Sequence, residues 1–319
     1  MNSRQTTEVA EQILTLIEGT AALPPFRELI FSHLRKPGKI LDGEHGFRWG
    51  LLPLLCAQAC GEDWRQAVPV GAAVEFFIAA GDVLDDLADL DTVESCSRDG
   101  RPHLSNAAAA LLMLTQEAIL RLLEHQVDPD RVLSISRTFA QAGIDASSGQ
   151  YLDMEYERTD TLTIDECLTM VALKSGSLAD CACRSGALVA TADPVLITAC
   201  AEFGRNLGIA SQLRNDIDGL WTEELSKSDV PRRKKTLPVV YALRCATGQD
   251  AEALRRVYQS TTELTADQIS SVRDILWRLG AKYYTSAVVD IHRQRARSAL
   301  DVIPASDGRD ALLALAASS

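Results

Sequence analysis

Apolar residues recur at helical spacing along nearly all of this chain. Ala/Leu-rich stretches cover 50–60, 66–91, 104–126, 130–157, 163–191 and 194–224, and after a break 237–247, 250–261 and 266–300. An apolar residue every three or four positions marks one buried helix face, and Ala and Leu are strong helix formers. The period-two alternation of strands is scarce. Between stretches the punctuation is short: Gly61-Glu62-Asp63, Asp128-Pro129-Asp130, Thr191-Ala192-Asp193-Pro194 and Gly248-Gln249-Asp250. Several of these put an Asp at or near a helix N-cap, where its carboxylate accepts from otherwise unpaired N–H groups. No Pro/Gly/Ser-rich linker or internal repeat divides the chain. The pattern predicts one all-α helical bundle over residues 1–319, with any ligand site between facing helices.

Two acidic clusters interrupt this apolar background. The first is Asp85-Asp86-Leu87-Ala88-Asp89. The second is Asn215-Asp216-Ile217-Asp218-Gly219, followed by Glu223. Residues four apart share a helix face, so Asp85 and Asp89 align, with Asp86 about 100° round. Asn215, Gly219 and Glu223 form a second stripe. Stacked carboxylates repel one another, and make sense when divalent cations sit among them. Mg²⁺ takes hard oxygen ligands, keeps several waters and commonly binds substrate phosphates as well. Two such helices face to face would hold a diphosphate between metal ions. A longer break follows each cluster, 92–105 and 225–235, and both carry bases: Arg98 and Arg101 in one, Lys227 and Arg232 through Lys235 in the other. Loops of this kind would fold over bound phosphate and exclude water.

Composition narrows the reading. Of 319 residues 46% are hydrophobic and 24% charged, an ordinary globular balance. The net charge of −12 argues against a general nucleic-acid surface. The opening MNSRQTTEVAEQ is polar, unlike a signal peptide, and no apolar run reads as the roughly 18 residues of a membrane span. Eight cysteines are scattered without zinc-like spacing, which predicts reduced thiols and a cytoplasmic protein.

From about Phe47 to Leu243 the chain resembles the trans-polyprenyl diphosphate synthase family. The resemblance rests on Glu75 through Asp86 as the first aspartate-rich helix, Arg98-Asp-Gly-Arg-Pro102, Gly149-Gln150-Tyr151-Leu152-Asp153, Lys174-Ser175, Gln212-Leu-Arg-Asn215-Asp216 and Lys234-Lys-Thr236-Leu-Pro238. DDxxD alone is a weak signal; with the five other ordered elements it is strong. The resemblance implies an isoprenoid-synthase-type bundle around a deep central cavity, a homodimer and about three Mg²⁺ ions. It implies that an allylic diphosphate loses pyrophosphate and that the carbocation is transferred to isopentenyl diphosphate or another acceptor. By position, Asp85, Asp86, Asp89 and Asp216 would hold metal, Arg98, Lys174 and Lys234 diphosphate oxygens, and Gln212 would orient substrate. Taken alone, Lys174 and Gln212 would read as surface groups.

Three departures from the family matter. The basic segment that binds isopentenyl diphosphate is reduced to Gly46 through Pro53, with Arg48 its one base and Lys36 and Lys39 upstream as substitutes. The paired arginine after the first motif has become Arg98-Asp99, and Gly219 stands where the last aspartate of the second motif belongs. The resulting NDxxGxxxE is similar to the metal triad of class I terpene cyclases, with Asn215 and Glu223 as ligands. Cyclisation is therefore the alternative, and a non-catalytic partner subunit a third reading. The GQYLD and KKTLP elements and an aromatic content of 5%, thin for steering cations, favour transfer. Before Asp85, Ala80 and Gly81 are expected to line the cavity with Phe76 and Phe77 as its floor, which suits a prenyl chain of roughly three to five isoprene units; the other reading puts both phenylalanines in the core.

Overall fold

A computed structural model describes residues 3–43, 47–89, 100–159, 161–222, 229–260 and 262–318. Among these residues there is no strand. The helices are α1 (Ser3–Glu18), α2 (Pro24–Leu34), α3 (Leu51–Ala59), α4 (Val68–Asp89), α5 (Gly100–Leu120), α6 (Pro129–Glu157), α7 (Ile164–Val171), α8 (Ser177–Ala190), α9 (Pro194–Trp221), α10 (Asp229–Arg232), α11 (Leu237–Cys245), α12 (Gly248–Tyr258), α13 (Ala266–Arg278), α14 (Ala281–Ala299) and α15 (Asp307–Ser318). The all-α expectation holds, and most predicted stretches match a helix to within a few residues.

Two stretches are divided. The run over 266–300 is two helices, because Gly280 takes a φ of +74°, a left-handed conformation that costs glycine little and ends a helix. The run over 163–191 is broken by a π-helical turn, Ala172–Gly176. The amphipathic α1 was not anticipated, nor were α2 and α15. Three punctuation signals act as predicted: Asp63 accepts from Arg65 N at 3.1 Å, Asp128 from Asp130 N at 2.9 Å and Asp193 from Val195 N at 2.8 Å.

The helices gather into two compact units. Unit 1 comprises 1–141, 179–204 and 299–315. Here α4 packs along α5, and α1 and α2 pack against both. Phe76, Phe139, Leu51, Leu52, Leu54 and Leu111 are fully buried in its core, each stabilising by about 1.5–3 kcal/mol relative to exposure. Two runs in this unit, Trp64–Ala88 and Gly100–Leu123, do reach the length and apolarity of a membrane span, contrary to the sequence reading. The apolar window of the first is 72% buried, so its character serves the protein core.

Unit 2 comprises 142–178, 205–298 and 316–319. One apolar cluster joins Cys167, Met170 and Val171 to Ile209, Leu213, Ile217, Leu237 and Val240. It fixes α7 and the π turn against the second half of α9. A second, around Leu254, Val272 and Leu276, seats α11, α12 and α13 on one another. The cysteines at 56, 60, 167, 181, 183, 200 and 245 are free thiols.

Candidate active site

In unit 1, α4 carries the first acidic motif at its C-terminal end. Phe77, Gly81 and Asp85 fall four residues apart and share a face. Phe76 and Ala80 do not: both are fully buried, so they belong to the core rather than to a cavity wall. Phe77 is half-buried, its ring edge-on to Phe139 at 5.3 Å between centroids, and open space lies where a Gly81 side chain would project. Asp86 accepts from Lys36 Nζ at 2.8 Å, and Asp82, one turn back, pairs with Lys39. The side chain of Asp89 lies outside the described residues, as do Arg98 and Glu223.

Arg48 does not present itself to substrate, as the family pattern had implied. Its side chain is 5% exposed and donates to Asp42 Oδ1 at 2.6 Å, Lys39 O at 2.9 Å and Phe47 O at 2.9 Å. This guanidinium pins the segment that follows α2.

Unit 2 assembles the second motif from four pieces of chain. The π turn Ala172–Gly176 carries Lys174 and Ser175. A turn of this kind is rare and concentrates at functional sites. It packs on α6 at Gly149, where a Cβ would lie 2.3 Å from Lys174 N, so only glycine permits the approach. One helical turn beyond Gly149, Asp153 accepts from Lys174 Nζ at 2.8 Å. Ser175 Oγ donates to Gln212 Oε1 at 2.9 Å, and Gln212 Nε2 donates to Asp216 Oδ1 at 2.8 Å. Gln212, expected to orient substrate, thus orients an acid. Asn215 and Asp218 are exposed, and Asp218 pairs with Arg214 at 3.4 Å.

Asp216 is 5% exposed. Burial pushes its carboxyl up to about 7; the Gln212 hydrogen bond opposes this, the charges of Asp229 and Asp153 add to it and Lys174 lowers it. Asp229 was not anticipated from the sequence. Its Oδ2 lies 2.4 Å from where a Cβ on Gly219 would be, so its carboxylate fills the place a side chain at 219 would take. Its own carboxyl is raised, first by burial and also by Asp153, against the lowering charges of Lys234, Arg232 and Lys174. Lys234 therefore lies near enough for its charge to act on Asp229. Lys235 is buried instead, donating to Glu157 O at 3.1 Å and to Thr159 O, which closes the end of α6. Arg233, at a φ of +56°, donates to Val257 O at 3.0 Å.

This donor set fits Mg²⁺. It offers hard oxygens from Asp153, Asp216 and Asp229, and burial makes charge on Asp216 costly until a cation arrives. Among the described residues no three acids already converge on a single point.

The comparisons with known proteins give the family. The family model described as "Polyprenyl synthetase" matches residues 40–276. The geranylgeranyl diphosphate synthase of Mycobacterium tuberculosis is 32% identical over 254 residues, 76% of this chain and 71% of that protein. The short chain isoprenyl diphosphate synthase of Methanothermobacter thermautotrophicus is 32% identical over 276 residues, 83% and 82% of the two chains. The crystal structure of geranylgeranyl pyrophosphate synthetase from Pyrococcus horikoshii superposes with a TM-score of 0.85 at 24% identity, over 98% of this chain and 95% of that one. This chain belongs to the polyprenyl synthetase family. As a polyprenyl synthetase it is an enzyme of the prenyltransferase class, and membership favours transfer over the cyclase alternative that NDxxGxxxE had raised. Polyprenyl synthetases are in general Mg²⁺-dependent.

Proposed function

We propose that this protein ionises an allylic prenyl diphosphate with Mg²⁺ and transfers the prenyl cation to an acceptor double bond, with isopentenyl diphosphate the first acceptor to test. The observation that carries the reading is the unit 2 constellation: Lys174 aimed from a π turn, Ser175 and Gln212 fixing Asp216, and Asp229 in the space beside Gly219. In this reading each acidic motif is a metal-binding segment. Asp85, Asp86 and Asp89 would hold metal from α4, and Asp216, Asn215 and Glu223 from the second motif, with Asp229 supplying the carboxylate that residue 219 lacks. Three ions are the number the family resemblance implies. Bound Mg²⁺ would supply Lewis-acid stabilisation of the charge that grows on the leaving group.

The chain's own residues do the remainder. Lys174, Lys234 and Arg98 bind diphosphate oxygens and so favour breaking of the allylic C–O bond, whose electron pair leaves with pyrophosphate. The acceptor's double bond attacks the cation, and loss of a proton restores an alkene. The Phe77–Gly81 face holds the prenyl tail away from water.

Exposed apolar side chains on α5, among them Met113 at 65% and Leu120 at 55%, support a homodimer in which a second copy covers them. The free thiols suit a reducing, cytoplasmic setting.

The test is incubation with Mg²⁺ and allylic diphosphates of increasing length, with and without isopentenyl diphosphate, and mass analysis of products. Longer diphosphates that form only with isopentenyl diphosphate are expected. Hydrocarbons formed without it would overturn transfer.

A further inference from the structure

Residues 35–43, held in part by Arg48, form a hydrogen-bonded clamp on the acidic face of α4. Asp42 organises it: its Oδ2 accepts from Gly38 N at 2.7 Å and its Oδ1 from Arg48 at 2.6 Å. Arg48 also holds Lys39 O at 2.9 Å, and Leu41 N returns to Leu34 O at 3.0 Å. The turn so fixed presents Lys36 and Lys39, three residues apart, to Asp86 and Asp82, four residues apart on one helix face. The two pairs differ in consequence. Asp82 lies outside the DDxxD motif, and the Lys39 side chain is only 12% exposed, so that pair anchors the clamp. Asp86 lies inside the motif, and the Lys36 side chain is 39% exposed. Its ammonium is thus held beside the motif by a fixed turn while its long stem can swing.

We propose that Lys36 is a positioning and binding residue that exchanges partners: it neutralises Asp86 in the metal-free protein and passes to a diphosphate oxygen when a divalent cation takes the carboxylate. The proposal rests on the metal-and-diphosphate reading above. Its physical basis is competition for one anion. A cation that binds Asp86 must displace the ammonium, and the displaced ammonium, tethered to a pinned turn, is left next to the phosphate oxygens that share that cation. Charge that opposes metal binding alone then assists metal and diphosphate binding together. A lysine ammonium is a compact point charge on a flexible stem, which suits an exchange between two anions.

The discriminating experiment is a pair of calorimetric titrations on the full chain: Mg²⁺ alone, then inorganic pyrophosphate at saturating Mg²⁺, for the unsubstituted protein, Lys36→Met, Lys36→Arg and Asp86→Asn. Removing a partly exposed ion pair should tighten Mg²⁺ binding in Lys36→Met by roughly two- to fivefold. The same variant should bind pyrophosphate about tenfold more weakly, the scale of one lost hydrogen bond to a charged group. Lys36→Arg should keep pyrophosphate affinity within a few-fold. Opposite signs in the two titrations are diagnostic, since simple damage to the fold would weaken both. If Asp86→Asn binds Mg²⁺ as the unsubstituted protein does, the first motif is not a metal site and the functional reading falls with this one. If Asp86→Asn loses metal while Lys36→Met matches the unsubstituted protein in either titration, the Lys36 assignment alone is overturned.

Discussion

The two acidic motifs carry similar charge in different surroundings. On α4 the carboxylates of Asp82 and Asp86 lie near the surface, and each has its own lysine. In unit 2 Asp216 is buried and feels the charges of Asp153 and Asp229, with Gln212 as its hydrogen-bond donor. Charge near solvent is screened and cheaply balanced; buried charge keeps its full cost until an ion or a proton removes it. On the proposed reading, the first motif would give up a lysine when metal binds, whereas Asp216 has a neutral amide rather than an ammonium as its donor. The first should therefore set the threshold for metal entry, and the second should tie metal binding to stability.

The sharpest way to break this contrast is to remove an acid from each side. Asp216→Asn should lower pyrophosphate release on the order of 10²–10³-fold, the scale of losing one electrostatic stabiliser of the transition state. An equal fall from Asp82→Asn would erase the distinction between a motif acid and an anchor.

Next in size is the response to pH. The carboxyl of Asp216 is raised from 3.8 to about 7 in the folded protein, so the folded state binds its proton more tightly than the unfolded chain does. Stability from this group is fully present below pH ~4 and lost as pH rises through about 7, a loss on the order of 4 kcal/mol. Metal-free protein should melt at progressively lower temperature over that window, and Mg²⁺ should reverse the trend above it. Asp216→Asn should flatten the slope; a slope left intact by that substitution would place its source elsewhere.

Smaller again is Asp229→Ala, expected to weaken Mg²⁺ binding roughly 10–100-fold, as loss of a group supporting a metal site does. Gly219→Ala should do the same, because its Cβ would evict the Asp229 carboxylate. The double variant should be little worse than either single one; additive losses would show that the two positions act separately. The smallest effect is one of product length: Phe77→Ala should lengthen the prenyl chain that is formed. An unchanged product profile would assign Phe77 to packing against Phe139 alone.

Much of the helical frame was legible because its signals are local. Periodicity located α3 through α9, and Asp63, Asp128 and Asp193 announced the helix starts that they cap. The candidate site was legible where a motif lies within a single helix, as Asp85 and Asp86 do on α4 and Asn215 and Asp216 on α9. It was opaque where tertiary packing makes the neighbourhood. Asp229 starts a different helix, and nothing in its spacing from Gly219 predicts that the two share a volume. Arg48 was misread for the related reason that a base in a glycine-rich segment looks available until Asp42 is seen to hold it. The π turn left no mark on the apolar pattern, because Cys167, Met170 and Val171 bury one face just as a regular helix would.

The widened turn at Ala172–Gly176 has a consequence for how the sequence can change. A turn closed from residue i to i+5 holds more chain than a regular one. Deleting a single residue there would let the flanking segments fuse into a straight rod. Side chains outside the turn would keep nearly the same relative facing, because the residue lost is the surplus one, but those inside it would be re-seated on a tighter helix. Lys174 would swing off Asp153, with every other atom of the acidic pocket still encoded. One codon lost from this stretch should silence the enzyme more completely than most substitutions elsewhere in its helices.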